Sequence, residues 1–229
     1  MESDRYDLKH FVPLVGRWEY SRGELIADGV VHLIGIVFAI SAGSILLALS
    51  FFRTGTGEYI AAIFYVLSLV AVLTVSLVYN QWPLTPVKWI LRRVDHSMIY
   101  VLIAATYTPF LAQIADPRTA MTSIAGVWLA ALAGMIVKIL FPGRFDRLAI
   151  AFYLIIGWSG VAMAKPLLEA LPGSTMHFIT AGGLIYTGGV LFYVWSRLRY
   201  HTAMWHGCVV LGAALHCLAV IDCFVITRI

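Results

Sequence analysis

Arg92-Arg93-Val94-Asp95-His96-Ser97-Met98-Ile99-Tyr100 opens a run that continues through Tyr107-Thr108-Pro109-Phe110, and its reading decides the fold. A carboxylate and an imidazole stand at the mouth of an apolar stretch about 20 residues long, the length a helix needs to cross a bilayer. Ionisable groups at that depth are costly unless they are paired, hydrated or put to use. The stretch therefore points both to a membrane protein and to a place in it where polar groups gather.

The rest of the chain agrees on the first point. Of 229 residues, 61% are hydrophobic and only 12% charged, against roughly 25% charged in a soluble domain; the mean hydropathy is +0.87. Seven apolar runs follow one another at about 26–52, 58–80, 94–115, 120–141, 147–165, 175–196 and 203–226, each near the spanning length. None alternates as a barrel strand would. The expected fold is all-α, an integral membrane bundle of seven transmembrane helices. Residues 1–23 mix acids and bases with no apolar core and are read as a cytoplasmic N-terminal segment, not a signal peptide; residues 24–229 form the transmembrane domain. No block is left over for a second domain.

Basic residues set the expected orientation. Twelve of sixteen Lys and Arg fall on the side of the N-terminus and the even-numbered loops, leaving Arg53, Arg118, Lys165 and Arg228 opposite. The positive-inside rule then places the N-terminus in the cytoplasm and the C-terminus outside. The net charge of +4 is absorbed by this distribution, so no nucleic acid is expected as a partner. Membrane lipids are the expected partners, with no soluble protein partner, and the expected location is multi-pass, in the inner membrane if the source is bacterial. Ser21-Arg22-Gly23-Glu24 has the capping-box spacing just before the first run. Pro166 is expected to end the fifth helix. Cys208, Cys217 and Cys223 lie in one apolar run without CxxC spacing and read as small buried side chains.

In this orientation four helices bring polar groups to one end of the bundle. The first carries Glu24, Asp28 and His32. The second ends with Ser76 and Asn80, four apart and on one face. The third begins with Asp95 and His96, the seventh with His201, Thr202 and His206; His216 lies deeper. Each has a plainer reading. Glu24 and Asp28 suit a helix start, Asn80 a helix end, and Asp95 an ion pair with Arg92 or Arg93. His96 can point away from Asp95, His201 toward headgroups, and His216 into packing. Asp222 reads as interfacial at the far end. Imidazoles and a carboxylate gathered from separate helices resemble a catalytic zinc site, with Asp95 as base and Ser76 bonding water or an oxyanion.

The motifs Asp28-Gly-Val-Val-His32-Leu-Ile-Gly35, Ser76-Leu-Val-Tyr79-Asn80, Asp95-His96-Ser97 through Tyr107-Thr108-Pro109-Phe110, and Trp205-His206 with His216 resemble those of haemolysin III-type proteins of the progestin and adipoQ receptor superfamily, across essentially the whole chain. The resemblance implies seven helices and a cytoplasmic N-terminus. In adiponectin-receptor relatives it implies zinc on three histidines, a nearby serine and aspartate, and ceramidase-like activity. In bacterial relatives it implies membrane-lipid and fluidity homeostasis, and the haemolysin label implies pore formation.

This chain departs from the implied ligand set. Ser76 and Asp95, the candidate catalytic residues, are kept. Of the ligand positions only His206 keeps its imidazole; Asn80 and Thr202 occupy the others, and both are weak zinc ligands. The expectation is therefore weak or absent zinc, with His32, His96 or His201 as the substitutes to look for. The functional expectation is membrane-lipid homeostasis, with a polar cavity near the cytoplasmic face. Alternatives are a zinc-dependent lipid amide hydrolase, and a pore or lipid sensor; whether the protein is an enzyme stays open.

Overall fold

A computed structural model describes residues 20–141 and 146–228, so the expected segment 1–23 falls almost wholly outside the described residues. Among the described residues eight α-helices follow in order: α1 (Arg22–Arg53), α2 (Thr56–Gln81), α3 (Pro86–Leu111), α4 (Pro117–Leu140), α5 (Asp146–Gly157), α6 (Ala164–Ala170), α7 (Gly173–Val194) and α8 (His201–Phe224). Short 3-10 turns occupy Ser159–Met163 and Ile226–Arg228. There is no strand among the described residues.

The helices are amphipathic inside out. On α1, Asp28, His32, Gly35, Ala39 and Gly43 are buried, while Ile26, Val30, Leu33, Ile34 and Val37 are exposed. Both sets recur at the spacing of one helical face. A helix that hides its carboxylate and imidazole and presents isoleucine and leucine is solvated by hydrocarbon. The protein is a multi-pass membrane protein: among the described residues six segments, 22–53, 56–81, 117–140, 148–170, 173–194 and 201–228, are long and apolar enough to cross. The expected count of seven differs by α3 alone. That helix has the length, but Lys88, Arg92, Arg93 and Asp95 fall in its first half.

Sequential packing closes the bundle. Each helix from α1 to α4 lies against the next, α7 lies against α8, and α8 returns to α1. Among the described residues the largest side chains fully enclosed are Tyr65, Tyr100, Phe224, Leu46, Leu69, Leu111 and His32. The capping box at α1 forms as the spacing predicts: Ser21 Oγ accepts from the Glu24 N–H, and Glu24 accepts from the Ser21 N–H at 2.9 Å. The Tyr200 N–H also donates to Glu24, at 3.2 Å, which ties the start of α8 to α1. Cys217 and Cys223 are buried and Cys208 partly so, all as free thiols.

Two boundaries differ from the sequence reading. Helix α3 starts at Pro86 rather than 94, because proline suits a first turn and Lys88 finds partners at the end of α2. Lys88 Nζ donates to the Asn80 and Trp82 carbonyls at 3.1 and 2.8 Å, capping the end of α2 with a cation where the helix dipole favours one. The fifth crossing is not ended by Pro166, which lies in the first turn of α6 where its missing N–H costs nothing. The break comes earlier, after Gly157. There the Tyr107 hydroxyl donates to the Gly157 carbonyl at 2.6 Å and accepts from the Gly160 N–H at 2.8 Å. Trp158 Nε1 donates to Thr187 Oγ1 at 2.9 Å. Irregular backbone survives at membrane depth only where it is satisfied in this way or lines a cavity, and here it does both.

Candidate functional site

A cavity of about 1000 Å³ runs inside the bundle. At one end its wall is polar: Tyr20, Glu24, His32, Ser76, Asn80, Asp95, His96, His201, Thr202 and His206 all line it. Farther in, Leu102, Ile103, Phe110, Ile150, Leu154, Leu167, Met176 and Ile179 make it largely apolar, and Gly157, Trp158 and Gly160 at the helix break form part of its wall. Helices α1, α2, α3 and α8 supply most of the polar end, to which Arg92 of α3 and Lys138, in the last turn of α4, also belong. This follows from the depth of each residue on its helix.

The centre of the polar end is a trio from α1 and α8. Asp28 and His32 are one turn apart on the buried face of α1. The His32 Nδ1–H donates to the Asp28 carbonyl at 2.9 Å, and the same nitrogen is 3.4 Å from Asp28 Oδ2. His206 Nδ1 meets Asp28 Oδ1 at 2.5 Å. The two imidazole rings stand edge to face with centroids 4.3 Å apart. Asp28 is only 3% exposed and sits behind the two histidines, which face the cavity.

The other sequence candidates take lesser or separate positions. Asn80 folds back on its own helix, its Nδ2 donating to the Ser76 carbonyl at 2.9 Å and to Ser76 Oγ at 3.3 Å. Asp95 Oδ2 lies 3.2 Å from His96 Nδ1, without hydrogen-bond geometry, and the Tyr153 hydroxyl donates to the His96 carbonyl. His201 is the first residue of α8, after Tyr200 in a left-handed conformation (φ 61°), and packs against Tyr20. Helix α8 does not unwind to bring His201 into register, so it stays outside the trio. The hydroxyl of Thr202 is buried without a partner. His216 lines the cavity at greater depth.

The trio fits a divalent cation. Ligand atoms, one each from Asp28, His32 and His206, lie within 4.8 Å of one another, and Asp28 Oδ2 is buried with no hydrogen-bond partner. Two imidazoles and a carboxylate match hydrolytic zinc centres in number and type. The set differs from the one implied by resemblance: His206 is shared, and His32 and Asp28 stand in for Asn80 and Thr202. Sequence reading named all three residues but could not join Asp28 to His206, 178 positions away. It had no signal for Tyr107 as the brace of the helix break.

Residues 24–217 match the family described as haemolysin-III related. The chain is 34% identical to "Hemolysin-3 homolog" of Bacillus subtilis over 83% of its length and 90% of that protein. It is also 34% identical to "Hemolysin-3" of Bacillus cereus, over 84% and 88%. To "Monocyte to macrophage differentiation factor" of Homo sapiens it is 29% identical over 93% and 90%. Relatives of this kind span bacteria and mammals over nearly the full chain.

Proposed function

The chain belongs to the haemolysin III-related family, and from that premise we propose that it binds a membrane lipid in the bundle cavity and acts in membrane-lipid homeostasis. The observation that carries this reading is the cavity itself. Its volume of about 1000 Å³ is at the upper end for small-molecule sites. It is apolar for most of its length and polar at one end, as a lipid with one head requires. The protein purified in detergent should carry acyl lipids that mass spectrometry identifies. After delipidation it should bind labelled stearate saturably, near one per chain, and Ile179→Trp, which fills the cavity wall, should abolish that binding. Absence of both co-purified lipid and saturable binding would sink the reading.

A second reading, metal-dependent hydrolysis of a lipid amide or ester, is favoured by the Asp28–His32–His206 trio. Zinc held by those side chains would lower the pKa of bound water to about 7 and so supply hydroxide. The remaining roles fall to the chain. In this reading Asp95 and Ser76, both on the cavity wall, would serve as the group that accepts a proton and the hydroxyl that bonds a carbonyl oxygen of the lipid head. Stoichiometric zinc together with fatty acid released from a lipid amide would establish this reading. Lipid binding by metal-free protein, with no product on adding zinc, would leave the binding role alone.

A further inference from the structure

Deeper in the same cavity lies a second polar station, built by two helices that exchange glycines for rings. On α7, Gly182 and Tyr186 are one turn apart, and on α8 Gly212 and His216 are likewise. The His216 ring lies over Gly182, where an added Cβ would stand 2.6 Å from its Cε1. The Tyr186 ring lies over Gly212, where a Cβ would come within 2.9 Å. Each helix omits a side chain where the other seats a ring, and the two ring centroids are 5.6 Å apart. Close helix packing alone explains the glycines. It does not explain an imidazole and a phenol where phenylalanine would pack as well, nor why both line the cavity.

The hydrogen bonds define what the station can recognise. His216 Nδ1 lies 2.9 Å from the Gly212 carbonyl. A carbonyl only accepts, so Nδ1 carries the hydrogen, and in the neutral ring Nε2 is an acceptor. The Tyr186 hydroxyl supplies a donor. An acceptor on one ring and a donor on its neighbour, with centroids 5.6 Å apart, complement a hydroxyl group, which itself donates and accepts. Ten residues of α8 separate His206 from His216, roughly 15 Å at helical rise, so the group recognised lies well along the ligand from its head.

We infer that Tyr186 and His216 bind a hydroxyl borne partway along the chain of a lipid whose head lies at Asp28, His32 and His206. The inference rests on the cavity being a lipid site, and the test separates the two. Binding of stearate, 2-hydroxystearate and 12-hydroxystearate to the delipidated full-length protein is measured by calorimetry. The wild type should bind 12-hydroxystearate about tenfold more tightly than stearate, the gain expected from one well-made hydrogen-bonded pair in an apolar site. The 2-hydroxy isomer should show no such gain. Tyr186→Phe keeps the ring on Gly212 and removes only the hydroxyl; it should bring the ratio of the two affinities close to one. His216→Leu should do the same. Equal affinity of the wild type for stearate and 12-hydroxystearate, or a preference that survives Tyr186→Phe, overturns the inference alone. Failure of all three lipids to bind overturns it together with the lipid-site reading.

Discussion

The two ends of the bundle use the same residue types to opposite effect. At the far end Asp222 is 5% exposed and accepts from Ser174 Oγ at 2.7 Å and Thr175 Oγ1 at 2.6 Å, and Arg228 grips Glu58 with both guanidinium nitrogens at 3.0 and 2.6 Å. None of these five residues lines the cavity. At the other end Asp28 is buried as deeply, but one of its oxygens has no hydrogen-bond partner, and Thr202 and His201 also keep buried polar atoms unmatched. Buried polar groups are normally satisfied. The far end also keeps one unmatched hydroxyl, Ser50 Oγ, but away from the cavity; spare valences gathered around a cavity mark the end that is built to meet something else. The difference predicts which substitutions cost binding and which cost stability.

The largest effect should come from the open end. Asp28→Ala removes the carboxylate of the trio and the groups that hold His206 in place. Zinc affinity, measured by competition with a chromophoric chelator, should fall by at least about a hundredfold, roughly 2.7 kcal/mol. Binding of zinc by wild type and Asp28→Ala with equal affinity would remove Asp28 from any metal site.

Asp222→Ala tests the closed end. It strips the shared acceptor from two hydroxyls at the start of α7, a helix whose N-cap, Pro172, provides no side-chain cap. Unfolding in detergent should show a loss of about 2 kcal/mol, with stearate affinity unchanged. A variant that unfolds like the wild type but loses lipid would place Asp222 in the site and erase the contrast between the ends.

The sequence made one side of this contrast legible and hid the other. Ser76, Asn80, Asp95 and His206 could be placed at one level because depth along a helix follows from counting residues. The capping box at Ser21 and Glu24 was legible because its partners are three residues apart. What counting cannot supply is the rotation of one helix against another. Asp222 reads as interfacial from its position near a run end, yet it is buried against α7, since its partners stand 47 and 48 residues earlier. The join of Asp28 to His206 was hidden for the same reason. The break after Gly157 was masked by apolar composition that continues straight through it, and only Tyr107, 50 residues away, makes it affordable.

A gain of function sharpens the comparison from the other direction. Asn80 and Thr202 both line the cavity beside His206, Asn80 spends its amide on its own helix, and the Thr202 hydroxyl is unmatched. Asn80→His with Thr202→His would add two imidazoles there. Zinc affinity should rise about tenfold, roughly 1.4 kcal/mol, because imidazole is the better zinc ligand. No rise would mean that α2 and α8 hold these positions too far from the trio to share an ion.

The smallest effect should come from Arg228→Ala, even though its ion pair has the better geometry on paper. The guanidinium is bidentate on Glu58 and also donates to Gln113 Oε1 at 2.7 Å, joining the start of α2, the turn after α3 and the end of the chain. Both charged side chains, however, stay about a quarter exposed, at 29% and 23%. Water and salt screen such a pair, and ordering two long side chains consumes part of the attraction. The expected loss is therefore about 1 kcal/mol or less, a fall in Tm of roughly 2–4 °C for a chain of this size, diminishing further at high ionic strength. Asp222→Ala should show no such salt dependence, because its acceptor is buried and its donors are neutral hydroxyls. A loss for Arg228→Ala as large as that for Asp222→Ala, and insensitive to salt, would mean that the clasp is shielded, and that this end is sealed by charge as much as by burial.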